Sequence, residues 1–246
     1  MGVEPVALTP PHAVRFPLVS LALRDVVLLN WPCPAPKLAP LLPPRTHVDV
    51  FAGTGWIGLV GLRITLTGVV GLRCSRRFDE VNVRTYVVDD EGRRGVVFFV
   101  VAVSESLLAP LAGAVAHLPC RACAQGRASS PRGIEYRATS GDASLCFRAR
   151  RGHRIAPTDL DRFLTARWRV YTRCRGTTVV APLAHEPWSL DVAQLRDFSD
   201  NGLLAVLGLP SAPQIPSTLF ASRVDARLGV PVPHHQETRH HVTSFV

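Results

Sequence analysis

Along residues 78–87 apolar and polar side chains alternate with the two-residue period of a β-strand. Glu80, Asn82, Arg84 and Tyr86 fall on one face, and Val81, Val83, Thr85 and Val87 on the other. A strand with one apolar and one polar face is either solvated on its polar side or lines a cavity. Asp89-Asp90-Glu91-Gly92 follows as turn chemistry, with Gly92 able to take positive φ. The β-branched and aromatic run 96–103 then predicts a second strand. Ser104 reads as a helix N-cap, and Leu107, Leu108, Leu111, Val115 and Leu118 recur at helical spacing up to Pro119.

The same patterning runs through the rest of the chain. Residues 21–31 are a mostly apolar run stopped by Pro32, Pro34 and Pro36, and 35–42 predicts a short helix ended by Pro43-Pro44. A hairpin is predicted from 47–51 through a Gly53/Gly55 turn into 56–66, followed by a basic loop over 68–77 carrying Arg73, Arg76 and Arg77. Further hairpins are predicted from 134–139 into 145–150 and from 168–174 into 177–183. Thr158-Asp159-Leu160-Asp161 resembles a capping box and opens a short helix. An irregular strand after His185, a short helix at 201–207 and a last strand at 218–224 complete the pattern. Antiparallel hairpins with a few inserted helices imply an α+β, mainly antiparallel β fold built on a large curved sheet or barrel. The expected organisation is an N-terminal arm over 1–20, one domain over 21–228 and a flexible His-rich tail over 229–246.

Composition narrows the function classes. Of 28 basic residues only Lys37 is a lysine, and the formal net charge is +9. The arginines are scattered from Arg15 to Arg239, and aromatics make up 7%. Nucleic-acid modules instead concentrate charge on one element beside aromatic platforms, so nucleic acid is an unlikely partner. The longest early apolar run is broken by Arg24 and Asp25, which argues against a membrane span. Six dispersed cysteines are too few for a disulfide scaffold in 246 residues and imply reduced thiols in a cytoplasmic protein.

Several segments taken in order resemble one family. These are Leu23-Arg24-Asp25, Asn30-Trp31-Pro32, Leu41-Leu42-Pro43, Trp56-Ile57-Gly58-Leu59, the 80–87 strand, Gly95-Val96-Val97-Phe98-Phe99, Phe163-Leu164-Thr165 with Tyr171, and His185-Glu186-Pro187-Trp188. Together they are similar to the YqjF-like family of uncharacterised bacterial proteins. That family resembles acetoacetate decarboxylase in fold, which implies a cone-like antiparallel β-barrel enclosing a pocket. The enzyme's signature is a strand bearing a glutamate, then a helix ending in Pro-Lys-Lys, whose first lysine forms a Schiff base. Here Glu80 and Pro119 keep that order, but Cys120 and Arg121 stand where the lysines would be. The resemblance therefore carries the fold and the pocket but not imine catalysis.

The candidate chemistry follows from those residues. Glu80 is a candidate acid or base, expected to pair with Arg84 or another arginine because an unpaired buried carboxylate is costly. Cys120 beside Arg121 is either a nucleophilic thiolate or a small buried thiol. Asn82, Arg84, Tyr86 and Arg121 are the candidate ligand-binding groups, the arginines for a carboxylate or carbonyl oxygen. Cys120-Arg121-Ala122-Cys123 has the spacing of a zinc half-site but lacks a second ligand pair, so no metal and no cofactor are expected. His185 and Trp188 read as a packed turn, and His234, His235, His240 and His241 as part of a solvated tail. The expected ligand is a small organic acid or carbonyl compound, bound or transformed without a Schiff base. A non-catalytic binding protein on the same fold is the alternative.

Overall fold

The computed structural model describes residues 2–104, 117–122, 124–210 and 214–234, with the backbone alone at 120–122, 124 and 125. Its centre is a ring of seven strands: β1 (Val19–Cys33), β3 (Gly55–Val69), β4 (Leu72–Asp89), β5 (Arg94–Val103), β10 (Arg169–Cys174), β11 (Thr177–His185) and β13 (Ser217–Leu228). They are hydrogen-bonded in the order β11-β10-β5-β4-β3-β1-β13. The ring closes where Leu183, Ala184 and His185 pair with Leu228, Arg227 and Ala226. All its pairings are antiparallel except β5 with β10.

The sheet does not stop at the ring. From β13 it continues through β12 (Leu190–Asn201), β9 (Ala143–Arg154), β8 (Gly133–Ser140) and β7 (Ala124–Ser130). Short strands β2 (Thr46–Val48), β6 (Cys120–Ala122) and β14 (Val232–Pro233) pair with β4, β5 and β11. Among the described residues three short α-helices, α1 (Ala35–Leu38), α2 (Asp159–Thr165) and α3 (Leu203–Val206), lie between strands. The fold is thus the expected mainly antiparallel α+β architecture, but a ring with a sheet extension rather than a plain barrel.

The alternation along β4 explains how the layers pack. Val81 and Val83 point away from the ring's interior and join Leu29, Trp31, Tyr136 and Phe147 in the largest apolar cluster, between the ring and the β8–β9 extension. Close approach there requires Gly61, because a Cβ at that position would lie 2.5 Å from the Tyr136 ring. Glu80, Asn82 and Arg84 take the opposite, inward face. The Thr158 capping box forms as expected: its side chain accepts from the Asp161 backbone, and the Asp161 carboxylate accepts from the Thr158 backbone.

Several sequence expectations are corrected. Thr46–Val48 does not form a hairpin with the strand after Gly55; it pairs with the end of β4, from Thr46 opposite Asp89 to Val48 opposite Val87. Residues 68–77 are not a loop, because β3 and β4 turn tightly at Val70-Gly71 and the basic residues lie on β4. The two faces at this end of β4 make the same demand, since both are largely exposed, so no apolar alternation survives to reveal the strand. The chain also stays attached beyond Gly229: β14 pairs with β11, and His234 is buried against Asp89 at 3.0 Å. Buried carboxylates recruit this histidine, which composition alone assigns to solvent. At the other end, residues before β1 lack regular structure but are held by contacts, including Glu4 with Arg169 at 3.0 Å and the Trp168 indole with the Ala7 carbonyl. The helix expected between Ser104 and Pro119 falls on 105–116, outside the described residues.

Candidate functional site

A cavity of about 140 Å³ sits inside the ring, and each of the seven ring strands contributes to its wall. Most of the lining is aliphatic or aromatic, including Leu23, Val60, Leu62, Phe98, Val101 and Leu228. The polar exceptions are Glu80, Asn82 and Arg84 from β4, Thr165 and Arg167 at and after the end of α2, and His185 from β11. An apolar enclosure with a few polar groups on one side is the usual form of a small-molecule site. A wider surface groove of about 510 Å³ shares Leu21, His185 and Ala226 with it. Its charged groups are exposed, and Arg223 and Asp225 there pair with each other at 2.8 Å, so the enclosed cavity is the better candidate.

Within the cavity Glu80 and Asn82 form a pair. Asn82 Nδ2 donates to Glu80 Oε1 at 2.7 Å, while Asn82 Oδ1 is buried without a partner among the described residues. Burial raises the Glu80 carboxyl to a pKa of about 7, against the opposing effects of the Asn82 hydrogen bond and the Arg84 charge. The expected Glu80–Arg84 ion pair is not formed: none of the salt bridges among the described residues includes Glu80. Arg84 instead reaches α2, its Nη2 donating to the Leu164 carbonyl at 3.4 Å, and its Nε is buried with no partner among the described residues.

Arg167 is more tightly held. Its Nε donates to the Phe163 carbonyl at 2.8 Å and its Nη1 to Asp49 at 2.6 Å. The guanidinium lies over the rings of Phe163 and Tyr86, 4.3 and 5.0 Å from their centroids. Burial pulls its pKa below the arginine value while Asp49 opposes that shift. His185 Nδ1 faces the Glu186 carbonyl at 2.7 Å, which assigns the ring proton to Nδ1. Burial lowers its pKa to about 4, so the ring is neutral near pH 7.

The structure brings three of the sequence-derived candidates, Glu80, Asn82 and Arg84, to one wall of the cavity. Tyr86 is fully buried but does not line it; its hydroxyl donates to Asn30 Oδ1 at 2.9 Å and its ring supports Arg167. Cys120 and Arg121 lie on β6, with Cys120 beside Val101 in the pairing with β5, and their side chains fall outside the described residues. Sequence reasoning missed Thr165 and Arg167, and placed His185 and Trp188 in a packed turn although both line the cavity. The available signal was position: Arg167 directly follows a capped helix, and the other three lie in segments that carry the family resemblance.

Residues of metal-ligand type also meet away from the cavity. Asp89, Glu91 and His234 converge near β14, but the Arg93 guanidinium already fills the space between them, with Nε 2.7 Å from Asp89 and Nη2 3.3 Å from Glu91. That cluster is an ionic network bridged by Arg93, in which His234 Nδ1 is buried without a partner among the described residues. Among the described residues no helix is long and apolar enough to cross a membrane.

Comparison with known proteins places this geometry. Residues 20–225 match the DUF2071 family, described as an uncharacterized conserved protein. The chain is 27% identical over 214 residues to the uncharacterized protein YqjF of Bacillus subtilis (strain 168), covering 82% of this chain and 86% of that one. Among solved structures it is similar in fold to the enduracididine biosynthesis enzyme MppR complexed with pyruvate. The TM-score is 0.62 at 13% identity, with 91% of this chain and 93% of that chain covered. An acetoacetate decarboxylase-like enzyme from Sphingomonas wittichii RW1 aligns with a TM-score of 0.59 at 13% identity, covering 95% and 99% of the two chains. Acetoacetate decarboxylase from Legionella pneumophila aligns at 0.57 and 12% identity, covering 91% and 90%. At these identities the shared property is the fold.

Proposed function

The chain belongs to the DUF2071 family, and from that premise we propose that its cavity binds a small organic acid in the cytoplasm. The acid's carboxylate sits at Arg84, and Glu80 serves as proton donor or acceptor beside it, without Schiff-base chemistry. The observation that carries this reading is the Arg84 guanidinium itself. It lines a largely apolar cavity, and among the described residues it has no carboxylate in contact and its buried Nε has no partner. A half-buried cation with a buried, unpartnered donor is costly, and a carboxylate is the ligand group that satisfies a guanidinium best.

Size and proton chemistry support the same reading. A cavity of about 150 Å³ accommodates a molecule about as large as benzene, and this one is about 140 Å³. A ligand of that size with an apolar body fits the aliphatic wall, and the MppR neighbour is complexed with pyruvate, an acid that small. A carboxyl with a pKa of about 7 exchanges protons readily at neutral pH. The lone lysine, Lys37, is exposed on α1 and absent from the cavity wall, which supports chemistry without an imine.

The test is calorimetric titration of the full chain with butyrate and with butyramide, its uncharged counterpart. Butyrate binding that is lost in Arg84→Gln supports the proposal; equal binding of the amide overturns it. Solvent-deuterium exchange into the bound acid, abolished by Glu80→Gln, marks catalytic use of Glu80. Binding without exchange marks a non-catalytic binder on the same fold.

A further inference from the structure

Resting on that carboxylate site, we propose that Arg167 is a second ligand-binding residue, donating from Nη2 to a neutral oxygen of the same acid. The ligand class is then narrower: a small oxo or hydroxy acid whose second oxygen lies close to the carboxylate.

The inventory of guanidinium nitrogens leads there. In Arg167, Nε is taken by the Phe163 carbonyl and Nη1 by Asp49, while Nη2 is buried with no partner among the described residues. The residue is 2% exposed and lines the cavity. Stacking on Phe163 and Tyr86 fixes the plane of the group, so its remaining donor has a set direction. A buried donor without a partner is destabilising, and a ligand oxygen would relieve that.

Arg84 and Arg167 converge for a local reason. Arg84 Nη2 donates to the carbonyl of Leu164, and Arg167 Nε to the carbonyl of Phe163, adjacent residues in the last turn of α2. Unsatisfied carbonyls at a helix end attract cations, and two neighbouring ones gather two guanidiniums at one end of the cavity. Their charges are matched differently. Arg167 has Asp49 at 2.6 Å, on an oxygen it shares with Arg94, whereas Arg84 has no carboxylate in contact among the described residues. Arg84 therefore takes the ligand's charge, and Arg167, which already has a carboxylate in contact, takes an oxygen that carries none.

A matched acid series tests the inference. Butyrate, 2-hydroxybutyrate, 2-oxobutyrate, 3-hydroxybutyrate and succinate are titrated into the full chain by calorimetry. At least one oxygenated monoacid is expected to bind about tenfold or more tightly than butyrate, the size of a hydrogen bond to a charged donor. That ratio should collapse towards one in Arg167→Met and equally in Arg167→Leu; in both, Asp49 keeps its ion pair with Arg94. If neither variant folds by circular dichroism, the wild-type series still decides. Equal binding of butyrate and all its oxygenated analogues overturns the role of Arg167 while the carboxylate site stands. Succinate binding tightest overturns the neutral-oxygen assignment. Failure of every acid to bind removes the carboxylate site and this inference with it.

Discussion

Asn82 Nδ2 donates to Glu80 Oε1 at 2.7 Å from two residues along the same strand, and this bond opposes the burial that raises the carboxyl. Replacing Asn82 by Leu removes a donor to the charged form, so the Glu80 pKa should rise above its value of about 7. Carboxyl-carbon NMR titration of the wild type and Asn82→Leu would show the shift; an unchanged or lower value in the variant contradicts the pairing.

The stability of the protein should respond to pH through two opposed groups. Glu80 is raised from 4.5 to about 7, so between these values the folded state holds a proton that the unfolded state has lost. Stability from this group falls as pH rises through that window. His185 is lowered from 6.5 to about 4, so in that window the unfolded state holds the extra proton and stability rises with pH. The two nearly cancel where they overlap. Of these two opposed contributions, Glu80→Gln leaves only that of the histidine, at most about 1.4 kcal/mol per pH unit. Denaturant midpoints measured from pH 4 to 8 should therefore climb more steeply in Glu80→Gln than in the wild type.

Borohydride trapping with 2-oxobutyrate should add no mass to the cavity wall, because its described residues include no lysine and Lys37 is exposed on α1. Peptide mapping after reduction reads this directly. A reduced adduct on any cavity peptide would mean that an amine reaches the site.

Gly58 lies beneath the Tyr86 hydroxyl, where an added Cβ would stand 2.9 Å from that oxygen and 3.0 Å from Asn30 Oδ1. Gly58→Ala should push the Tyr86–Asn30 hydrogen bond apart and destabilise the fold by about 1–3 kcal/mol, the usual cost of overpacking. Because Tyr86 supports Arg167, acid binding should weaken as well. An unaltered denaturant midpoint would show that the contact relaxes freely.

Thr158 closes the capping box of α2, the helix whose last carbonyls hold Arg84 and Arg167. Thr158→Ala should cost about 1 kcal/mol of stability. The same denaturation measurement checks it, and no loss would mean that packing alone holds the helix end.

The sequence by itself determined the strands with strong alternation, the capped helix and the polar face of β4. These are local properties, because strand period, cap chemistry and turn residues act over a few positions. Glu80, Asn82 and Arg84 could be assigned to one face for that reason. Tertiary structure decided what that face meets. Ring closure by the β11–β13 pairing encloses it, and the pairing joins residues 183–185 to 226–228, far apart in the chain. Tertiary contacts also gave Glu80 to Asn82 rather than to Arg84, brought Arg167 to the cavity through Phe163 and Asp49, and drew His234 from the expected tail into an ionic cluster. Each of those outcomes depends on which buried charges and donors meet across the fold. Desolvation sets their energies, and no residue spacing encodes it.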